Sequence, residues 1–173
     1  MKPRNPRLTT NRNVNLAREA IKANTGSLKM TETIWKSIRR RTIRLRVQQF
    51  LYKAIHNTLM IGEFWFNIEG YQHRGRCEPC ATMENMDHIL IHCRAGHTKR
   101  VWNLARKLWP YGDVLWPEIS LGTILGSGCL AARKANGQEN TQLTDNAAPQ
   151  NPRGAAHLLQ IIVSEAAHLA WVL

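Results

Sequence analysis

The chain has 173 residues, of which 43% are hydrophobic, and a formal net charge of +12. This length can bury one hydrophobic core but is short for two full domains. No run of about 18 apolar residues occurs and the N-terminus is basic and polar, so the sequence predicts neither a membrane span nor a signal peptide. The expected location is intracellular, in the nucleus or the cytoplasm.

The first third of the chain predicts a tail followed by helices. Residues 1–12 combine prolines with four cationic side chains and few apolar ones, which is typical of a disordered basic tail. Apolar residues at helical spacing then predict a short helix over Val14–Ala23 and an amphipathic helix over Ile43–Leu59. Between them, a helix is expected to begin at Thr31 or Thr33, either of which can cap it.

The positive charge of the protein is concentrated in the same third. Residues 1–60 carry 14 Lys and Arg against two acids, whereas residues 61–173 carry ten of each. Such asymmetry is typical of a surface that contacts phosphates of nucleic acid or anionic lipid, although a solvated basic face has the same composition. We call the densest part the cationic strip and predict that it binds nucleic acid. The strip consists of Lys36, Arg39, Arg40, Arg41, Arg44, Arg46 and Lys53.

An aromatic segment follows the predicted amphipathic helix and ends in Tyr71. We expect its side chains to pack in the core against the neighbouring cysteine segment, because large aromatic rings usually bury their area. Stacking on nucleic-acid bases is the alternative interpretation. The segment contributes Phe64, Trp65, Phe66, Ile68 and Tyr71.

Three of the four cysteines lie close together in sequence with a histidine among them. Cys77, Cys80, His88 and Cys93 form the pattern C-x2-C-x7-H-x4-C, which we call the Cys/His cluster. In a reducing compartment this spacing favours a metal site over disulfides, and mixed thiolate and imidazole donors suit zinc. Four protein ligands close the coordination shell, so the predicted Zn²⁺ site is structural.

Two other histidines leave the ligand set open. His92 lies four residues after His88, and His97 lies four residues after Cys93, so either could replace a ligand. On an ideal α-helix His88 and Cys93 point about 140° apart, so the helix must end or distort near Cys93. Three flanking arginines either stabilise the negative charge of a three-thiolate centre or form solvated surface. They are Arg74, Arg76 and Arg94.

The sequence of the second half of the chain also predicts helices. Apolar spacing predicts a helix over Thr98–Trp109, ended by Pro110, then a turn and short helix within 119–132. The fold class that we predict is mainly α, a small helical domain organised around a CCHC zinc knuckle, without a sheet. Its parts are a flexible basic N-terminal tail (1–12), the helical zinc-binding domain (13–134), a flexible polar insertion (135–154) and a C-terminal helix that packs on the domain (155–173).

The cluster and its flanks resemble a known family. The spacing of the ligands, the stretch Ile34–Trp65, the run His88–Cys93 and the later Trp102 are similar to the reverse-transcriptase zinc-binding domain of LINE-type (non-LTR) retrotransposon polyproteins. The segments SLGTILGSG and SEAAHLAW resemble the C-terminal region of fungal versions. The resemblance implies that Cys77, Cys80, His88 and Cys93 are the metal ligands, and many relatives carry Gly where this chain has Ala81.

The resemblance implies a role in binding element RNA or target DNA. The implied protein partners are the reverse transcriptase or ribonuclease H portion of a parent polyprotein, and no membrane is implied. From the residues themselves we expect no enzyme, because the sequence has no Asp-Asp polymerase motif and no clustered carboxylates to bind catalytic metal ions. The alternatives are a zinc-stabilised scaffold that packs against a reverse transcriptase, or a non-functional remnant of an element.

Overall fold

The computed structural model describes residues 6–112, 115–132, 149 and 151–173. It is mainly helical, which confirms the predicted class. The helices are α1 (Pro6–Thr25), α2 (Thr31–Ile38), α3 (Leu45–Ile55), α4 (Glu63–Phe66), α5 (His97–Lys107), α6 (Leu121–Leu125) and α7 (Pro152–Val172). The shorter elements are β1 (Arg76–Cys77), β2 (Thr82–Met83), 3-10 turns at Gln72–Gly75 and Ser127–Cys129, and a π-helical turn at His88–His92.

Helix α1 is longer than the sequence predicted. It begins at Pro6, so the later part of the expected disordered tail is helical, whereas residues 1–5 lie outside the described residues. Proline is well suited to a first helical position, because no intrahelical bond to its nitrogen is needed there. The buried Asn13 amide donates to the carbonyls of Ala54 and Ile55 at the end of α3. These bonds satisfy terminal carbonyls of α3 and fix α1 against it.

Helices α2 and α3 differ slightly from their predicted bounds. Met30 precedes α2 without a side-chain cap, so neither Thr31 nor Thr33 caps that helix. Helix α3 is confined to Leu45–Ile55, because the residues on either side of it form turns. The two helices still bury the apolar faces that their spacing predicted.

The main hydrophobic core lies among the longer helices and α6. Helix α1 packs so closely on α6 that a Cβ atom on Gly122 would stand 2.4 Å from the carbonyl oxygen of Leu16. Only glycine permits this approach of two backbones. The largest fully buried side chains come mostly from these helices and include Ile21, Ile34, Leu51, Ile124 and Leu159.

Helix α7 completes the core. It begins at Pro152, earlier than the predicted 155, because the Asn151 side chain caps it by accepting a 2.9 Å bond from the Gly154 N–H. By length and composition α7 is apolar enough to cross a membrane, but 50% of the relevant stretch is buried inside the protein, as in the core helix of a globular domain. Most of the predicted polar insertion at 135–154 lies outside the described residues.

Candidate metal centre and cationic strip

A short β-hairpin positions the first two cysteines of the Cys/His cluster. Strands β1 and β2 are antiparallel, with Cys77 opposite Thr82, and the Glu84 N–H extends the pairing by donating to the Gly75 carbonyl at 3.0 Å. Cys80 lies in the connecting turn, and Ala81 after it has a φ of 52°. The prediction of a mainly helical chain without a sheet therefore missed this hairpin.

The hairpin packs against the backbone of the residues that precede α4. Gly62 has a φ of +52°, and a Cβ atom there would lie 2.2 Å from the Glu84 carbonyl oxygen. Both the positive φ and the close approach require glycine. The chain before α4 thus fixes the position of the hairpin and its cysteines.

A π-helical turn positions the other two cluster residues. The Asn85 side chain caps the preceding turn by accepting a 2.8 Å bond from the His88 N–H. The Cys93 N–H then donates to the His88 carbonyl at 2.7 Å, an i to i+5 bond that brings both residues to one side of the turn. The distortion that the spacing predicted is therefore confirmed.

Side chains of α5 support this turn. The π-helical turn is only one turn long, so its carbonyls need partners outside it. The Thr98 hydroxyl donates to the Ile89 carbonyl at 3.0 Å, and the Trp102 indole N–H donates to the Leu90 carbonyl at 2.7 Å. Leu90 is fully buried, so the turn is attached to the main core by both packing and hydrogen bonds.

The four predicted ligands converge. One donor atom from each of Cys77, Cys80, His88 and Cys93 lies within 4.8 Å of every other, close enough to hold a metal ion. The sulfurs of Cys77 and Cys93 are 3.7 Å apart. The Nε2 atom of His88 is buried and has no hydrogen-bond partner among the described residues. A buried polar atom without a partner is costly, and coordination of a metal ion would remove that cost.

The alternative histidines lie outside the cluster. His92 is exposed, and its Nε2 atom lies 3.0 Å from the Asp87 carboxylate. His97 begins α5 and does not belong to the group of converging donor atoms. Among the described residues, the geometry therefore brings together the set with His88 and Cys93.

The cysteine thiols of the cluster experience different surroundings. Burial raises the pKa of Cys77 to about 11, an effect that the backbone N–H of Cys80 partly opposes. The pKa of Cys80 is lowered, chiefly by the 3.2 Å hydrogen bond that its sulfur accepts from the Arg94 N–H. A metal ion must therefore displace a proton from Cys77 at neutral pH, and its binding releases protons.

The arginines beside the cluster have different contacts. The guanidinium of Arg74 lies 5.2 Å from the Trp65 ring and 5.1 Å from the Tyr71 ring. Arg94 approaches the cluster through its backbone N–H. Stabilisation of the cluster by Arg94 thus comes mainly from the main chain, as the cause of the Cys80 pKa shift also indicates.

The aromatic segment is not part of the main core, so its predicted burial is wrong. Phe64 and Phe66 are each 37% exposed and Tyr71 is 45% exposed. Helix α4 has only four residues and packs on the Gln72–Gly75 turn, so its rings form a separate surface group. Trp65 contacts Phe64 edge-on with ring centroids 5.2 Å apart.

All seven side chains of the cationic strip are exposed. They run from α2 across the 39–44 connection and along α3. Arg44 forms a two-pronged ion pair with Glu165 of α7, and Arg40 donates to Gln160 at 3.4 Å. No acid lies between Glu32 and Glu63 in the sequence, so the partner of Arg44 could not be identified from its neighbours in the chain.

Comparison of the chain with protein-family models, with curated proteins and with solved structures gives no match. The resemblance to the reverse-transcriptase zinc-binding domain thus stays a prediction from the sequence. The cluster and the strip are the features from which a function can be inferred.

Proposed function

We propose that this protein is a zinc-binding module that binds RNA or DNA without catalysis, like the retrotransposon domain that it resembles. The observation that carries the proposal is the combination of a convergent Cys/His cluster with an exposed cationic strip. A zinc ion held by the cluster would stabilise the hairpin segment, and the strip supplies the phosphate-binding surface.

Zinc is the metal that best suits the cluster. A tetrahedral ion with bonds of about 2.3 Å to sulfur separates two sulfurs by about 3.8 Å. The 3.7 Å between the sulfurs of Cys77 and Cys93 agrees with this distance. Three sulfur donors and one imidazole leave no position for substrate, so the ion would serve structure and not chemistry.

The strip suits the backbone of a nucleic acid. Its cations are solvent-exposed, and arginine binds phosphate oxygens through two parallel hydrogen bonds. Glu165 already neutralises Arg44, whereas Gln160, which accepts a hydrogen bond from Arg40, carries no charge. The other six strip residues therefore keep their positive charge for phosphates. Phosphate contacts position a strand and carry no sequence information, so binding through the strip should be general.

The test is a salt titration of affinity for a fluorescent oligonucleotide. With four or five strip contacts, the logarithm of affinity should fall with the logarithm of salt at a slope of about −3 to −4.5. Replacing Arg40 and Arg41 by alanine should flatten that slope. The double variant Arg44→Ala with Glu165→Gln serves as a matched control with a smaller effect, because it removes the whole ion pair and leaves the local net charge unchanged.

The Glu165→Gln variant should change binding in the opposite direction. It removes the carboxylate that neutralises Arg44 and frees one cation, so the slope should steepen by about 0.7 to 0.9. Salt-independent binding, or no binding at all, would favour the alternative of a protein-interaction scaffold. Cleavage of an RNA–DNA hybrid with magnesium or manganese by rigorously purified protein would contradict the absence of catalysis.

A further inference from the structure

An apolar groove lies between α2 and α3, directly beside the cationic strip. Its volume is about 210 Å³. Two strip cations, Arg39 and Lys53, form part of its lining, so aromatic and cationic groups share one surface. The other lining residues are Trp35, Ile38, Leu45, Gln48, Gln49 and Tyr52.

The two aromatic side chains of the groove are held in place by a third ring, that of His56. The His56 ring stacks on Trp35 with centroids 5.2 Å apart and an angle of 26°, and it contacts Tyr52 at 4.5 Å. His56 is itself fixed from α1, where the Thr10 hydroxyl lies 3.2 Å from its Nδ1 atom. The rings therefore need little reordering to receive a flat ligand.

A polar side chain in the lining is also fixed. The Gln48 side-chain nitrogen donates to the Ile43 carbonyl at 2.7 Å and to the Arg40 carbonyl at 3.1 Å. These bonds tie the first turn of α3 to the loop that carries the strip arginines. The groove and the strip thus form one connected surface.

We propose that this groove receives an unpaired base of the nucleic acid whose phosphates lie on the cationic strip. The ligand class is therefore single-stranded RNA or DNA. This inference rests on the proposed function and adds to it, because phosphate contacts alone do not distinguish a single strand from a duplex.

The chemistry of the lining favours a base over other occupants. Base stacking on aromatic side chains beside a positively charged groove is the usual recognition of single strands. A duplex keeps its bases paired and stacked, so it could use the strip but not the groove. An acidic peptide would also be attracted by Arg39 and Lys53, but it needs no preordered stack of rings.

The groove is tested by comparing a single-stranded oligonucleotide with a duplex of the same sequence. The wild-type protein should bind the single strand more tightly. Tyr52→Ala should weaken single-strand binding by about 5- to 150-fold, the range for losing one stacked base, and leave duplex binding unchanged. Tyr52 is 49% exposed, so its truncation does not open the core. Tyr52→Phe should retain the affinity.

Two further measurements separate this groove from other aromatic surfaces. Tyr71→Ala is a matched control, because Tyr71 is 45% exposed but lies in the aromatic segment away from the groove lining. It should leave the single-strand preference intact. Photo-crosslinking with an oligonucleotide containing 5-iodouridine should label α2 or α3 peptides. Labelling confined to the aromatic segment would overturn the groove assignment.

The outcomes distinguish this inference from the proposed function. In one outcome the protein binds single strand and duplex equally, Tyr52→Ala has no effect, and the arginine variants bind more weakly. This result would overturn the role of the groove and support the role of the strip. No salt-dependent binding of either oligonucleotide would overturn both.

Discussion

The helical core and the segment around the Cys/His cluster are ordered by different means. The core buries many apolar side chains from α1, α2, α3, α6 and α7, several of them fully. Within residues 71–96 the buried hydrophobic residues are Cys77, Met86 and Leu90. The core can therefore be stabilised by the hydrophobic effect. This segment has its hydrogen bonds, and a metal ion held by its convergent donor atoms would add to them.

The short elements of the cluster segment sharpen this contrast. Each strand of the hairpin has two residues, and an isolated hairpin is marginal in water. The π-helical turn is also a single turn. A metal ion would link these two pieces, so its removal should loosen them while the helices that do not contact them remain folded.

The largest expected effect comes from removing the proposed zinc ion. The apparent free energy of zinc binding, about 10 to 16 kcal/mol, exceeds the stabilisation that so short a segment can gain by burying apolar surface. Chelation, or Cys80→Ser, should therefore increase hydrogen exchange throughout residues 76–93 while amides in α1 and α2 stay protected. Mass spectrometry of the exchanged peptides measures both regions at once.

The matched control for ligand removal is His92→Ala. His92 pairs with Asp87 and is exposed, so its loss should cost little metal affinity. A greater loss of affinity for His92→Ala than for Cys80→Ser would show that the ligand assignment is wrong. Uniform loss of protection in both regions would show that the core and the segment are one cooperative unit.

A second effect concerns the bonds that attach the π-helical turn to α5. Trp102→Phe removes the hydrogen bond to the Leu90 carbonyl and should cost about 1 to 3 kcal/mol, because a buried acceptor loses its partner. Urea unfolding measures this cost. Trp109→Phe is the matched substitution, because its buried indole nitrogen has no hydrogen-bond partner among the described residues. Equal costs for both variants would mean that packing, not the hydrogen bond, fixes the turn.

A smaller effect is expected at the turn that follows Cys80. Ala81 has a φ of 52°, a conformation that costs a residue with a Cβ atom about 1 to 2 kcal/mol. Ala81→Gly relieves this strain but makes the unfolded chain more flexible, so the net gain should be at most about 1 kcal/mol. Competition with a chelator should show slightly tighter metal binding. Ala81→Val should bind more weakly, and the opposite order would contradict the strain.

The smallest effect lies at His168, a half-buried side chain of α7, and depends on pH. Burial lowers the pKa of His168, with Glu165 opposing the shift and Arg44 and Arg46 adding to it. As the pH falls below about 6.5, the usual pKa of histidine, the unfolded chain takes up a proton before the folded protein does. The stability that is present above this pH is therefore lost as the pH falls toward the lower pKa of His168 in the folded protein.

The measurement compares His168→Gln with the wild type in urea at about pH 7.5 and about pH 5. The variant should lose less stability on acidification, because it cannot take up that proton. Effects of cluster protonation are common to both proteins and cancel in the comparison. An identical loss of stability in both proteins would rule out a contribution from His168.

Helical spacing and the convergence of the Cys/His cluster were the parts of the structure that the sequence could predict. Val47, Phe50 and Leu51 lie on the buried face that their period indicates. The H-x4-C interval required a distorted turn, and the π-helical turn supplies it. Both features depend on residues close in sequence, where periodicity and covalent geometry constrain the outcome.

Features that depend on distant residues could not be predicted in this way. The partner of Arg44 is Glu165, more than a hundred positions away, and no local pattern connects them. The exposure of Phe64 and Phe66 follows from where α4 sits, which composition does not specify. The wall of the α2–α3 groove likewise needs His56 to stack on Trp35, a contact set by the packing of two helices.

The i to i+5 bond between His88 and Cys93 sets how this segment tolerates changes in chain length. The turn already holds one residue more than an α-helical turn. Deleting Ile91, which spares Leu90 and the two carbonyls bound by α5, leaves an interval that an ordinary α-turn can close, whereas an insertion leaves an interval that no regular helical turn serves. Length variation between these two ligands should therefore be one-sided, permitting loss of a residue and excluding gain.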